Sequence, residues 1–294
     1  MERGGLYIIA LLSILLSALY ACSSRPKAQN EEEKDKKTIT IAVTKKPTYP
    51  DMITYAIKPI LEKKGYTLKL QELDESQLSI NALIDGEIDM IIAGHEAAYN
   101  FMYKRTGWKV ATLIKVPSAH MGIFSTNLKA RNIEELKKEL KKGDVVAMPD
   151  DPSNLPRSLI LLENLGFLKL KEGIDKMEAI EKDIVENYYG LDFKVLSAVQ
   201  IPRNLGNIAF GVIFGDDADL LGILDSAIIR EVNMDERFLI LFGVKPENVD
   251  TPWAKDFVEA VQSEEFKNVI EDPQYRFHKF YRPGWYIDKW GIKN

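Results

Sequence analysis

Hydrophobic and polar residues change their pattern twice along this chain. Residues 6–18 are predominantly apolar, residues 23–37 are almost all polar or charged, and short segments of two periodicities alternate from residue 38 onward. Alternating β-branched residues, as in Thr38–Thr44, predict strands, whereas apolar residues three and four positions apart, as in Met52–Lys64, predict helices. Strands are thus predicted at residues 38–44, 66–73, 88–92, 109–116, 144–148, 193–199 and 210–214, and helices at residues 52–64, 77–84, 96–105, 155–165 and 253–261.

The order of these elements indicates the fold class. Strands that alternate with helices across short loops predict mainly parallel sheets covered by helices, which is the α/β class. A further helix has a start signal of its own, because Asn132 is followed three residues later by Glu135, as in a capping box. The length of 294 residues is sufficient for two domains of ordinary size.

The N-terminus is typical of an exported protein. Arg3 supplies a positive charge, and the apolar run after it is shorter than the roughly 20 residues that a membrane-spanning helix needs. Leu19–Cys22 (LYAC) resembles the bacterial lipobox, whose cysteine is acylated, although Tyr20 is bulkier than the residue usual there. We therefore expect a signal peptide at residues 1–21 and a lipid such as palmitate on Cys22. An uncleaved signal anchor is the alternative.

Composition supports the expectation of a lipid anchor. Cys22 is the only cysteine, so neither an internal disulfide nor a multi-cysteine metal site can form. Residues 22–37 carry too little apolar surface to offset the entropy of ordering, and we expect them to tether the lipid to the folded part. The net charge of −5 gives no reason to expect nucleic acid as a partner.

Residues that could carry catalysis do not form any recognisable arrangement. His95, His120 and His278 lie on separate segments without metal-ligand spacing. No GxSxG, HExxH, P-loop or GxGxxG sequence is present. We therefore expect no enzyme activity, no metal site and no cofactor.

The most informative stretch for binding is Met148–Arg157 (MPDDPSNLPR), between a predicted strand and a predicted helix. In an open α/β sheet, ligands bind beyond the carboxyl ends of strands, where helix N-termini present free N–H groups. Ser153 and Asn154 are suitable N-cap residues, and Arg157 follows one turn later. Its guanidinium can bind a carboxylate through two parallel hydrogen bonds. A capped surface helix with a solvated arginine is the alternative.

Several motifs in a fixed order resemble the methionine-binding lipoproteins of the NlpA type, the substrate-binding components of ABC importers. The resemblance extends from about residue 38 to about residue 270. The motifs that carry it are Asp85–Asp89, Met121–Gly122, Pro149–Arg157 with the following Leu159–Leu170, Lys182–Asn187, Gln200–Arg203 and Val258–Glu265.

The resemblance implies two α/β lobes with the type II periplasmic-binding-protein fold, hinged by crossovers and enclosing one ligand. Residues 38–126 and 216–294 are expected to form the first, split lobe, and residues 127–215 the second.

The resemblance also implies roles for individual residues. The family arginine that matches Arg157 grips the ligand carboxylate, the asparagine that matches Asn154 assists it, and His95 matches a histidine of the pocket lining. Asp216 is the fourth candidate ligand-binding residue, because its charge could pair with an ammonium group. An ordinary turn residue facing water is the alternative reading of Asp216.

The chain departs from the family pattern at three places. Ile92–His95 (IAGH) stands where the family has Phe-Phe-Gln-His, Ser76 lies near a family tyrosine, and Phe214–Asp216 (FGD) replaces Asn-Gly-Asn. Small residues at Ala93 and Gly94 remove aromatic contact area, so we expect a pocket that is larger or is filled from elsewhere.

These observations predict a solute-binding lipoprotein, anchored to a bacterial membrane and facing its extracytoplasmic side. We expect a monomer that closes its lobes on methionine or a related zwitterion and delivers it to an ABC permease. One alternative is a different solute class, such as a vitamin precursor, a sulfonate or another organic anion. A surface lipoprotein that has lost transport is another, and the aromatic, basic segment Tyr275–Trp285 would suit it. That segment could equally be a strap on the first lobe, which we favour.

Overall fold

The structure, a computed structural model, describes residues 36–73, 76–92 and 94–294. The expected signal peptide at residues 1–21, the expected lipid site at Cys22 and most of the expected tether lie outside the described residues. Within the described ranges, every helix is too short or too polar to traverse a lipid bilayer.

The first of two five-stranded sheets contains β1 (Thr38–Val43), β2 (Thr67–Glu72), β3 (Met90–Ile91), β4 (Ala111–Lys115) and β12 (Leu241–Val244). Their spatial order is β2-β1-β3-β12-β4. β1 is parallel to both β2 and β3, whereas β12 is antiparallel to β3 and β4. β1 lies in the middle of the parallel part, which explains its run of buried β-branched residues.

The second sheet contains β5 (Gly122–Phe124), β6 (Val145–Pro149), β9 (Asp192–Leu196), β10 (Phe210–Ile213) and β11 (Ile229–Arg230). Their spatial order is β11-β5-β10-β6-β9. β6 is parallel to β9 and β10, and β5 is antiparallel to β10 and β11. A separate antiparallel pair is formed by β7 (Leu168–Leu170) and β8 (Ile184–Asn187).

Helices cover both sheets. They are α1 (Thr48–Met52), α2 (Lys58–Lys63), α3 (Ser76–Asp85), α4 (Glu96–Thr106), α5 (Ile133–Glu139), α6 (Asn154–Asn164), α7 (Gln200–Asn204), α8 (Gly215–Leu220), α9 (Pro252–Val261), α10 (Glu264–Glu271) and α11 (Gly284–Trp290). A π-helical segment, Ile53–Ile57, makes α1 and α2 continuous. Short 3₁₀ turns lie at residues 176–178, 181–183, 224–226, 236–238, 246–248 and 276–279. Two sheets with flanking helices confirm the predicted α/β class.

The two lobes, each a sheet with the elements packed on it, differ from the expected residue ranges. The expected borders were 126/127 and 215/216, yet β5 and β11 both pair within the second sheet. The chain therefore crosses between lobes at residues 116–121 and again at residues 231–240. β11 is only two residues long, and so short a strand leaves no periodicity in the sequence that could have marked this border.

The C-terminal aromatic segment belongs to the core of the first lobe. Phe277, Phe280 and Tyr286 are almost completely buried and lie in one cluster with Trp253 and β1. The Trp285 indole donates a hydrogen bond to the Lys115 carbonyl at 2.8 Å. This segment is thus a strap packed on the first lobe, as we favoured from the sequence.

Candidate functional site

A cavity of about 340 Å³ lies between the two lobes. Its walls come from both lobes and include all the predicted ligand-binding residues, namely His95 from the first lobe and Asn154, Arg157 and Asp216 from the second. The structure therefore brings these four side chains together. Their role in binding a ligand stays a prediction.

Asp151 organises the start of α6 at this cavity. Its Oδ1 accepts hydrogen bonds from the backbone N–H of Ser153 at 3.2 Å and of Asn154 at 2.9 Å. The same oxygen accepts from the Ser153 hydroxyl at 2.9 Å and from the Asn154 amide at 3.0 Å. Asp151 thus does the capping that the sequence suggested for Ser153 and Asn154, because its carboxylate reaches both N–H groups at once. The Asn154 amide oxygen is left to face the first lobe.

His95 meets that oxygen from the opposite side of the cavity. Its Nδ1 accepts from the Ala98 N–H at 3.3 Å and so caps α4. Because Nδ1 is an acceptor, the ring proton sits on Nε2, which donates to Asn154 Oδ1 at 3.3 Å. Burial and the charge of Arg157 lower the pKa of His95 to about 3. His95 is therefore a neutral hydrogen-bonding link between the lobes.

Arg157 points into the cavity wall from the first turn of α6 and is only 6% exposed. Its Nε lies 3.1 Å from both carboxylate oxygens of Glu231, and its Nη2 also donates to Glu231. The guanidinium carbon lies 5.1 Å from the centre of the Phe238 ring, in cation–π geometry. Among the described residues, nothing accepts a hydrogen bond from Nη1. Sequence reasoning found Arg157 but missed Glu231.

Lys46 forms a second charged cluster with the acidic start of α8. Its Nζ lies 3.1 Å from Asp216 and 2.8 Å from Asp217. Burial opposes the charged form of Lys46, but the two carboxylates overcome this effect and raise its pKa. Burial and the nearby Asp216 raise the pKa of Asp217. Two carboxylates thus share one ammonium, which leaves an excess of negative charge at this end of the cavity.

Three helices begin at the cavity, and this convergence explains its polarity. α4 starts at His95, α6 starts beside Asp151, and α8 starts at Gly215. Helix N-termini carry partial positive charge and free N–H groups, so acidic side chains are favourable beside them. Gly215 packs so closely that an added Cβ would lie 2.2 Å from the His120 carbonyl oxygen. Only glycine fits at this position, and its lack of a side chain lets α8 begin in direct contact with the crossover at residues 116–121.

The remaining wall of the cavity is apolar and aromatic. Tyr49, Phe214, Phe238 and Ile240 line it. Burial and the Asp216 carboxylate raise the pKa of Tyr49 well above its usual range, so its hydroxyl stays neutral. An added Cβ at Gly94 would lie 3.2 Å from the Tyr99 ring. Tyr49, Phe214 and Phe238 thus supply the aromatic surface of the cavity, and Gly94 lies against the Tyr99 ring.

Comparison with known proteins agrees with this architecture. The family described as NlpA lipoprotein matches residues 39–285. The D-methionine-binding lipoprotein MetQ of Salmonella typhi is 31% identical over 240 residues, which cover 80% of this chain and 85% of that protein. The methionine-binding lipoprotein MetQ of Bacillus subtilis is 27% identical over 271 residues, covering 90% of this chain and 94% of that protein.

Solved structures give the same result. A nutrient-binding protein from Burkholderia cenocepacia bound to methionine superposes with a TM-score of 0.71 at 28% identity, covering 81% of this chain and 97% of that one. The crystal structure of the methionine-binding protein MetQ gives a TM-score of 0.70 at 29% identity, with 81% and 95% covered. The predicted two-lobed fold is therefore confirmed. The protein has a solute-binding role and is not an enzyme. On the extent of these matches, the chain belongs to the NlpA lipoprotein family.

Proposed function

We propose that this protein binds methionine or a closely related zwitterionic amino acid between its lobes and delivers it to an ABC permease. The observation that carries the proposal is the buried Arg157 in the wall of an interlobe cavity, with Nη1 unbonded among the described residues. The names of similar proteins, D-methionine-binding and methionine-binding lipoprotein, support methionine as the first ligand to test.

The ligand carboxylate would bind at Arg157 in this proposal. Glu231 occupies the Nε–Nη2 edge of the guanidinium, and the Met234 thioether, a weak acceptor, lies 3.5 Å from Nη2, so a ligand on the Nη1–Nη2 edge would replace that sulfur. That edge also presents two parallel N–H groups, which match the two oxygens of a carboxylate. Removing water from the closed cavity strengthens this contact.

The ligand ammonium would lie at the other polar end, beside Asp216. Each carboxylate oxygen can accept more than one hydrogen bond, so Asp216 can bind an ammonium without releasing Lys46. The apolar side chain of the ligand would then contact Phe238, Ile240 and Tyr49. Closure follows if the ligand binds the closed arrangement of the lobes better than the open one.

A solute of another class is the second candidate. The specific observation in its favour is the apolar Phe214, which lines the cavity beside Asp216 and offers no side-chain hydrogen bond to an ammonium group. The surface-adhesion alternative loses its main support, since the aromatic C-terminal segment is packed in a core.

We further propose that the protein is a monomer anchored through an acylated Cys22 on the extracytoplasmic side of a bacterial membrane. Membership of a lipoprotein family and the LYAC sequence support this anchor.

Arg157→Lys should weaken methionine binding by about tenfold or more, because a lysine bound to Glu231 has no fork left for a ligand carboxylate. Isothermal titration calorimetry with methionine measures this change. Arg203→Lys, on the exposed surface of α7, is the matched control. Wild-type affinity in Arg157→Lys would contradict the proposed carboxylate site.

Asp216→Asn should weaken methionine binding by about tenfold, because an amide oxygen attracts an ammonium less than a carboxylate does. The deaminated analogue of methionine lacks the ammonium, so its affinity should not fall. Asp192→Asn, which removes an exposed carboxylate bound to Lys194 within the second lobe, is the control. Equal losses for both compounds would place the ammonium elsewhere.

Methionine affinity should stay constant from about pH 8 to about pH 5, because His95 remains neutral in the folded protein throughout this range. The unfolded histidine, in contrast, takes up a proton below its ordinary pKa of 6.5. The stability that His95 contributes is therefore complete above pH 6.5 and is lost as the pH falls towards 3.

Calorimetric titrations at several pH values test the first part of this expectation. Melting temperatures of wild type and His95→Asn test the second, since asparagine can still cap α4 but does not titrate. The difference between the two proteins should narrow as the pH falls. His120, whose pKa burial also lowers, is present in both. An affinity that falls with a midpoint near the ordinary histidine pKa would refute the neutral link.

Cys22→Ala should move the protein from the membrane fraction to the soluble fraction and abolish incorporation of labelled palmitate. Several acyl chains, each contributing about 0.8 kcal/mol per buried methylene, otherwise hold it at the membrane. Ser23→Ala is the control. Retention of Cys22→Ala in the membrane would disprove acylation as the anchor.

A further inference from the structure

Glu231 and Arg157 form a buried ion pair directly behind the cavity wall. The side chains are 8% and 7% exposed, and the carboxylate meets the guanidinium through both Nε and Nη2. Arg157 itself lines the cavity, whereas Glu231 does not. A ligand at this point of the cavity therefore meets a guanidinium whose charge is already matched by a protein carboxylate.

The backbone of Glu231 is held in place independently of Arg157. Its N–H donates to the Met121 carbonyl at 2.8 Å, and its carbonyl oxygen lies 2.7 Å from His120 Nδ1. Both partners belong to the other crossover, so the two crossovers hold Glu231 between them. The backbone position from which the Glu231 side chain reaches Arg157 is therefore fixed by contacts other than the ion pair.

This pairing changes what the ligand gains at Arg157. A ligand carboxylate still receives hydrogen bonds from Nη1 and Nη2, but it is repelled by the carboxylate of Glu231. A neutral carbonyl, as in a carboxamide, receives the same hydrogen bonds without that repulsion. Charges a few ångströms apart in a partly buried site change an equilibrium constant by about tenfold to about a hundredfold. Glu231 is therefore placed to offset the preference of Arg157 for a carboxylate.

We propose that Glu231 is a specificity-determining residue that lets the cavity accept ligands whose acyl group is neutral as well as free amino acids. The ligand class would then include amino-acid amides and related carbonyl compounds. This inference rests on the proposed function, since it requires the acyl end of the ligand to bind at Arg157.

The test compares L-methionine with L-methioninamide by isothermal titration calorimetry on the full-length protein. For wild type, the two dissociation constants should lie within about tenfold of each other. Glu231→Gln keeps the size of the side chain and one acceptor oxygen but removes the charge. In Glu231→Gln the preference for methionine over methioninamide should rise by about tenfold or more, because Arg157 is no longer neutralised.

Glu271→Gln is the matched control, because Glu271 pairs with another mostly buried arginine, Arg282, in the C-terminal strap. It should leave the preference unchanged. A purely structural role for Glu231 would weaken binding of both compounds equally, and that result would overturn the inference.

A measurement on wild type alone can also overturn the inference, which therefore stays testable if Glu231→Gln does not fold. The contradicting result is a wild-type preference for methionine over methioninamide of more than about a hundredfold. The same measurements distinguish a failure of the proposed function from a failure of this inference. If wild type and Glu231→Gln bind neither compound, both the amino-acid proposal and this inference are wrong. If wild type binds methionine and Glu231→Gln shows the same preference, only this inference is wrong.

Discussion

A charge taken out of water needs a counter-charge, and this constraint shapes the centre of the molecule. Arg157 is buried where the lobes meet, and Glu231 supplies the carboxylate that makes its burial tolerable. The pair does more than balance charge, since Arg157 belongs to a helix of the second lobe and Glu231 belongs to a crossover. The ion pair therefore connects the cavity wall to the crossover at residues 231–240. A ligand that contacted Arg157 would contact a side chain that is bonded to this crossover.

Other ion pairs between the lobes are more exposed than Arg157 and Glu231. α8 faces the first lobe with an acidic surface, where Asp216 and Asp217 meet Lys46, and Asp219 meets Arg276. On another surface Lys104 pairs with Glu178, and both side chains are more than half exposed. Ion pairs that stay in contact with solvent contribute little to stability, because water screens the attraction. In the proposed binding cycle, ligand contacts within the cavity can therefore determine the balance between open and closed arrangements of the lobes.

Much of the fold could be predicted from the sequence because long, regular elements carry strong periodicity. β1 alternates across a buried parallel sheet, and α6 has a continuous apolar face, so both were predicted within a few residues. The pair β7 and β8 was missed, because three and four residues are too few to show a period. The lobe borders were misplaced for the same reason, since they depend on β5 and β11. Pairing between strands distant in the chain decided them.

The candidate site could be predicted only in part, and the missed residues show what information was lacking. Lys46 and Asp151 follow the carboxyl ends of β1 and β6, where the rule for open α/β sheets places ligand contacts, so a consistent use of that rule would have found both. Glu231 also follows a strand, but β11 leaves no pattern in the sequence. Its partner Arg157 lies 74 positions away, and only the folded chain brings them together. A motif can therefore identify Arg157 as a candidate for ligand binding, whereas the carboxylate that pairs with it is decided by tertiary structure.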